Sequence, residues 1–178
     1  LATSVAARTM EGQPFAVTLA LAILIVIGTG LANWVAGWVI TTSKVPDIVV
    51  TLATSFIWSG VGLTILPSPG GGISEGLRLV FTGASDGSGS NFVPSLLVLT
   101  VGATVVTWFL RRTRAGLSLY AVGSNLTAAY LSGVDVARAK RSSYAVGGML
   151  AGMAGLATLA ITGSGDARFS IGANATLN

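Results

Sequence analysis

Long apolar runs broken by short polar links set the pattern of this chain. No charged residue occurs from Gly12 to Ser43, and the heart of that run, about 15–40, is long enough to cross a hydrocarbon layer as one helix. A polar link from Thr41 to Asp47 follows, then a second apolar run over about 48–66. Pro46 suits the first turn of that second helix, and Asp47 suits its positive end. Pro67, Pro69 and Gly70-Gly71-Gly72 stop the run. Residues 67–92 are rich in Gly, Ser and Pro. They are expected to form a loop, with a short partial helix at Leu77–Thr82 and a flexible linker at Gly87-Ser88-Gly89-Ser90. A third run, about 93–110, halts at Arg111, Arg112 and Arg114. Residues 111–141 are interrupted by polar positions at regular intervals and suit one or two short surface helices. A fourth run covers about 142–161.

The fold class expected is therefore all-α, a polytopic transmembrane helical bundle with about four spans in a single domain over 1–178. Gly28, Gly30, Ala32, Ala36 and Gly37 in the first span would weaken a helix in water, but in lipid they let backbones approach. The fourth span carries a small-residue stripe, with Gly148, Gly152 and Gly155 as helix-packing positions. Trp34 and Trp38 lie one turn apart, as ring anchors at a headgroup layer or as a buried aromatic pair.

Composition sharpens this picture. Apolar residues make up 52% of the 178 and charged residues 9%, against about 25% charged in soluble domains. The net charge of +4 rests on ten basic residues. Six of them lie between Arg111 and Arg141, a local block that fits the inner side of a membrane and not a nucleic-acid footprint. The positive-inside rule places 111–141 in the cytoplasm and 67–92 outside, with the Lys44 link inside and residues 1–12 outside. The chain begins on Leu1, carries no signal-peptide pattern and reads as an internal piece of a longer protein.

Candidate chemistry is sparse. There is no cysteine and no histidine, so thiol catalysis, His-based triads and the usual zinc sites are excluded. The carboxylates Glu11, Asp47, Glu75, Asp86, Asp135 and Asp166 are scattered, and no P-loop is present. No enzyme activity and no cofactor are expected. No span interior carries a charge, which disfavours an ion-coupled carrier, the alternative reading of a transport function. A polar solute would meet only Ser, Thr, Asn, Trp and backbone. The candidates for a translocation path are Asn33, Thr51, Ser55 and Trp58, of which the last three share a helix face by spacing. Packing or capping is the plainer role for each.

Several stretches resemble one family. Thr113-Arg114-Ala115-Gly116, Tyr120-Ala121-Val122-Gly123-Ser124-Asn125 and Ala128-Ala129-Tyr130-Leu131-Ser132-Gly133 are similar to a motif of ribose/xylose/arabinose-type ABC importer permeases. Tyr144 and Ala151-Gly152-Met153-Ala154-Gly155 resemble its continuation. Pro46 with Val50-Thr51-Leu52-Ala53-Thr54 resembles an upstream family segment, in which Asp47 stands where the family usually has Phe. Ser124 replaces the middle glycine of a Gly-Gly-Asn run, and Ser170–Leu177 matches only loosely.

The resemblance implies an inner-membrane permease subunit of an ATP-driven importer for a monosaccharide or similar small polar solute. It implies partners as well: cytoplasmic ATP-binding subunits, a second permease subunit that is identical or different, an external solute-binding protein and membrane lipid. It also implies a cytoplasmic coupling helix at about 124–136, with Asn125, Ala128, Ala129, Leu131, Ser132 and Gly133 as the ATPase-coupling residues. There Asn125 would cap the helix and Gly133 would end it. Ala128, Ala129 and Leu131 would form an apolar docking surface, and Arg138, Lys140 and Arg141 would sit at anionic headgroups.

Overall fold

The computed structural model describes residues 1–10, 12–43, 45–72, 74–82 and 92–165; the side chains of 75–77, 82 and 92–99 are left aside. Eight helices occur among the described residues: α1 (Ala2–Thr9), α2 (Phe15–Ser43), α3 (Asp47–Ile65), α4 (Glu75–Thr82), α5 (Phe92–Arg112), α6 (Arg114–Ser124), α7 (Leu126–Leu131) and α8 (Val136–Thr162). The expected Gly87–Ser90 linker, Glu11, Lys44, Asp86, Asp166 and Ser170–Leu177 fall outside the described residues.

Among the described residues three helices, α2, α3 and α8, are long and apolar enough to cross a membrane. The fourth expected span is present as the 21-residue helix α5, but its first eight side chains are among those left aside. The all-α membrane-type bundle therefore stands on three membrane-length helices. Pro46 is not in the first turn of α3 but at its cap position, with φ −54° and ψ 137°. Proline's ring disfavours α conformation in the residue before it, which keeps the end of α2 and the start of α3 apart.

The pair α2 and α8 forms the centre. The two run antiparallel, because Gly37 faces Arg141 and Tyr144, Gly30 faces Met149, and Gly152 faces Val26 and Thr29. Buried Ala22, Ile25, Gly30, Ala36, Gly37 and Ile40 of α2 meet buried Ala139, Gly148, Gly152, Leu156, Leu159 and Ala160 of α8. Lipid tails are as apolar as Leu, so close van der Waals fit between small residues, not escape from water, holds such a pair.

An added Cβ at Gly148 would meet the Asn33 Cβ and the Thr29 carbonyl at 2.6 Å, and at Gly155 the Ala2 Cβ at 2.9 Å. Gly148 and Gly152 thus seat α2, whereas Gly155 seats α1. Gly147 has nothing within 4 Å of that position.

Helix α1 was not expected. Its Ala2, Ala6 and Ala7 join Met10, Ala22, Ile25, Leu156 and Leu159 in the hydrophobic core at one end of the bundle. Arg8 donates to the Ile65 carbonyl at 2.8 Å, tying α1 to the end of α3. Gly70 and Gly165 exchange backbone hydrogen bonds at 3.1 and 3.0 Å, which joins the loop after α3 to the loop after α8 at the same end.

Helix α3 differs from its neighbours. Gly62 is its only buried residue, and Ile48, Leu52, Phe56 and Ile57 are exposed. All of its hydroxyls but that of Ser59, which is buried without a partner, are satisfied locally: Thr51 Oγ1 donates to the Asp47 carbonyl at 3.0 Å and Ser55 Oγ to Leu52 at 2.7 Å. Return bonds of this kind let Ser and Thr reside in hydrocarbon without an orphan donor.

Candidate functional site

The segment from Thr113 to Asp135 is built from capped short helices. Thr113 Oγ1 accepts from the Gly116 N–H at 3.1 Å and opens α6. Gly116 is buried so tightly against the Leu110 backbone that an added Cβ would overlap it. The Thr-Arg-x-Gly run therefore makes a corner in which α6 folds directly back from α5. Asn125 ends α6 and caps α7, its Oδ1 accepting from the Ala128 N–H at 3.0 Å. At the other end Gly133 takes φ +79°. Its N–H donates to the Tyr130 carbonyl, and the Val134 N–H donates to Ala129, both at 3.0 Å. These two bonds are the Schellman pattern, which a glycine in left-handed conformation makes possible. Ser132 Oγ donates to the Ala128 carbonyl at 2.8 Å. Asp135 Oδ1 then accepts from the Arg138 N–H at 3.0 Å and caps α8.

The surface of α7 differs from the expected one. Ala129 is buried, only 4% exposed, because α7 lies back against the chain on that side. Ala128 is exposed, and the apolar surface is completed by Leu126, Tyr130 at 70% and Leu131 at 79% exposure. Tyr130 and Leu126 were not anticipated; their spacing from Leu131 on a six-residue helix was the available signal.

The basic residues after α7 have partners within the chain. Lys140 Nζ reaches Asp47 Oδ2 at 2.7 Å and Oδ1 at 2.8 Å. Arg141 Nε donates to Thr41 Oγ1 at 2.8 Å. Both lie on turns of α8 that face the end of α2 and the start of α3, which turns them inward. Arg138 alone of the three is outward, paired with Asp135 at 3.0 Å and largely exposed.

The four candidates for a polar path divide in two. Asn33 and Trp58 come together, with Thr29, Ala32, Ala151 and Gly152, around a cleft of about 180 Å³ between α2, α3 and α8 that Leu1 and Ala2, at the start of α1, also line. Asn33 Nδ2 donates to the Thr29 carbonyl at 3.0 Å. The Thr29 hydroxyl donates to its own helix, at 3.0 Å to Ile25 and 2.9 Å to Val26. Thr51 and Ser55 are exposed and do not line this cleft. Trp34 and Trp38 are half-exposed, so they do not form a buried pair. Among the described residues no group of three or more His, Cys, Asp or Glu is placed to hold a metal ion.

Residues 1–178 match the family described as branched-chain amino acid transport system / permease component. The chain is 31% identical over 156 residues to an autoinducer 2 import system permease protein of Enterobacter sp. (strain 638), covering 88% of this chain and 43% of that protein. It is 32% identical over 123 residues to a ribose import permease protein of Bacillus subtilis (strain 168), covering 67% and 37%. A xylose transport system permease protein of Haemophilus influenzae is 40% identical over 83 residues, covering 47% and 22%. The chain thus spans less than half the length of each of these relatives. No solved structure matches.

Proposed function

The chain belongs to the family of branched-chain amino acid transport system / permease components, and from that premise we propose that it is part of the membrane-spanning permease of an ATP-driven importer. The proteins it resembles by name are transport components, not enzymes. The solute proposed is a monosaccharide such as a pentose, or a similar small hydroxyl-rich molecule. Cytoplasmic ATP-binding subunits, a second permease subunit and an external solute-binding protein complete the importer, in a bacterial inner membrane. Four spans belong to this piece, α5 being the fourth, with the arginine-rich turn at Arg111–Arg114 inside.

The observation that carries this reading is α7. A six-residue helix is too short to be stable by itself, yet it is capped at both ends and presents Leu126, Tyr130 and Leu131 outward. Helix-capping chemistry spent on so short an element makes a rigid knob. ATP-driven movement requires such an element on the permease, gripped from outside by the motor. The cleft around Asn33 and Trp58 supplies an amide and an indole ring between largely apolar spans. An ion-coupled carrier is less well supported, since no Asp, Glu, Lys or Arg lies within the runs 15–40, 48–66, 93–110 or 142–161.

Replacing Leu131 and Ala128 by Glu in the full-length protein is expected to leave insertion and abundance unchanged. Association with the ATP-binding subunits should weaken by at least about tenfold, the size of one lost hot-spot contact, and ATP-dependent uptake should be lost with it. Uptake at the unmodified level, with the ATP-binding subunits still copurifying, would overturn the reading. The relation to an autoinducer 2 permease over 88% of the chain favours a second solute, a signalling molecule of that kind. Uptake by the reconstituted importer, compared across ribose, xylose and autoinducer 2, separates the two.

A further inference from the structure

Helices α3 and α8 do not pack closely along their length among the described residues. Trp58 of α3 and Ala151 and Gly152 of α8 instead line the same cleft, with Leu1 and Ala2 at the start of α1 between them. At one end of that gap the two helices are nevertheless joined. Lys140 Nζ lies 2.7 Å from Asp47 Oδ2 and 2.8 Å from Oδ1, a contact between residues 93 apart in the chain. Asp47 is the first residue of α3 and Lys140 is in the second turn of α8. Counting helical rise, the pair lies roughly 16–18 Å from the level of Trp58 and Gly152. Next to it Arg141 Nε holds Thr41 Oγ1 at 2.8 Å, and Gly37 allows the α8 backbone to touch α2.

We propose that the Asp47–Lys140 pair is a charge latch closing the inner mouth of the cleft, and that movement of α7 releases it. The pair is too exposed to serve as structural glue: side chains 29% and 43% accessible make an ion pair worth little in stability. Its weakness suits a contact that must break in every cycle. Its place suits control by α7, because only Gly133, Val134 and Asp135 separate the C-cap of α7 from the start of α8. Both sides of that link are capped, so a push on α7 is not absorbed by a slack loop but turns the first turns of α8. Arg141 keeps α8 on α2 during that motion, while Lys140 leaves Asp47 and α3 parts from α8. Asp47 and Lys140 are positioning residues here: they act on access to the cleft and not on the solute.

This inference rests on the transport reading for its meaning, yet its test does not. These 178 residues contain no cysteine; with any cysteine in the rest of the full-length complex replaced, Ala32→Cys, half-buried in the wall of the cleft, gives one reporter within this region in the absence of nucleotide. A membrane-impermeant maleimide is applied to inverted vesicles and to intact cells. Asp47→Asn and Lys140→Met are each expected to raise the labelling rate from the inner face several-fold and leave labelling from the outer face unchanged. The reversed pair, Asp47→Lys with Lys140→Asp, should bring the rate back toward the parent's. A merely structural loss would raise labelling from both faces and would not be rescued by reversal. Unchanged inner-face labelling in both single variants, or no recovery in the reversed pair, overturns the latch. In the same vesicles the single variants should hydrolyse more ATP per solute taken up. Absence of any ATP-dependent uptake by the parent complex would instead sink the transport reading, with the labelling result still deciding the latch.

Discussion

At the scale of single residues, the small side chains of α8 are not equivalent. Gly147, Gly148, Gly152 and Gly155 look alike in the sequence, but only the last three face another helix. Gly152 lies against Thr29 and Val26, and Thr29 is also the residue whose carbonyl Asn33 holds. Leucine at 152 would force α2 and α8 apart and disturb the cleft at the same time. We expect Gly152→Leu to cost about 1–3 kcal/mol, the range for overpacking a fitted site. Gly147→Ala should be neutral or slightly stabilising, since alanine is the better helix former and meets open space there. Thermal unfolding of the detergent-solubilised full-length protein checks both, with the Gly152→Leu midpoint several degrees below that of Gly147→Ala. Equal midpoints would mean that this stripe is not the seam.

At the scale of elements, α7 rests on its caps. Asn125→Ala removes the acceptor for the Ala128 N–H and should cost about 1 kcal/mol of local stability. Amide exchange at Ala128 and Ala129 should then run about fivefold faster, while exchange in the middle of α2 stays unchanged. Much of this element was legible beforehand, because a side-chain cap and a terminal glycine are local signals: Asn125 and Gly133 do what their residue types suggest. The long helices were legible for a similar reason, as uninterrupted apolar runs. Helix α1 was not, since Ala2, Ser4, Ala6 and Ala7 have no strong apolar periodicity and form a helix by fitting beside Gly155 and Gly165. Helix α8 begins ahead of the fourth apolar run: Asp135 caps it, so it already carries Arg138, Lys140 and Arg141, which lie in the stretch expected to form short surface helices. Thr51, Ser55 and Trp58 do share a face by spacing. Only Trp58 meets the cleft, because α3 is not packed along its length and its early turns point away. The Asp47–Lys140 contact depends on tertiary arrangement across 93 residues, which no local pattern encodes.

At the scale of the whole molecule, orientation and packing constrain each other. The proposed topology puts Lys44 and 111–141 on the inner side and 67–92 on the outer, which requires α2 to run inward and α8 outward. The observed α2–α8 packing is antiparallel, as that arrangement requires. The ends also sort consistently. Gly70 pairs with Gly165 and Arg8 reaches Ile65 at one end, whereas Asp47, Lys140, Thr41 and Arg141 meet at the other. All the described contacts of the arginine-rich side thus fall on the proposed inner end. Single cysteines at Ser124 and Ser68 test this directly, since these 178 residues contain none, in a full-length protein whose other cysteines are replaced. In intact cells an impermeant thiol reagent should label Ser68→Cys and spare Ser124→Cys. In inverted vesicles the preference should reverse. Both hydroxyls are at loop or helix-end positions with exposed side chains, so neither substitution disturbs a buried contact. Labelling of both positions from the same face would contradict the helix order. Reversal of both would keep the bundle, place α7 outside the cell, and leave the ATP-binding subunits nothing to grip.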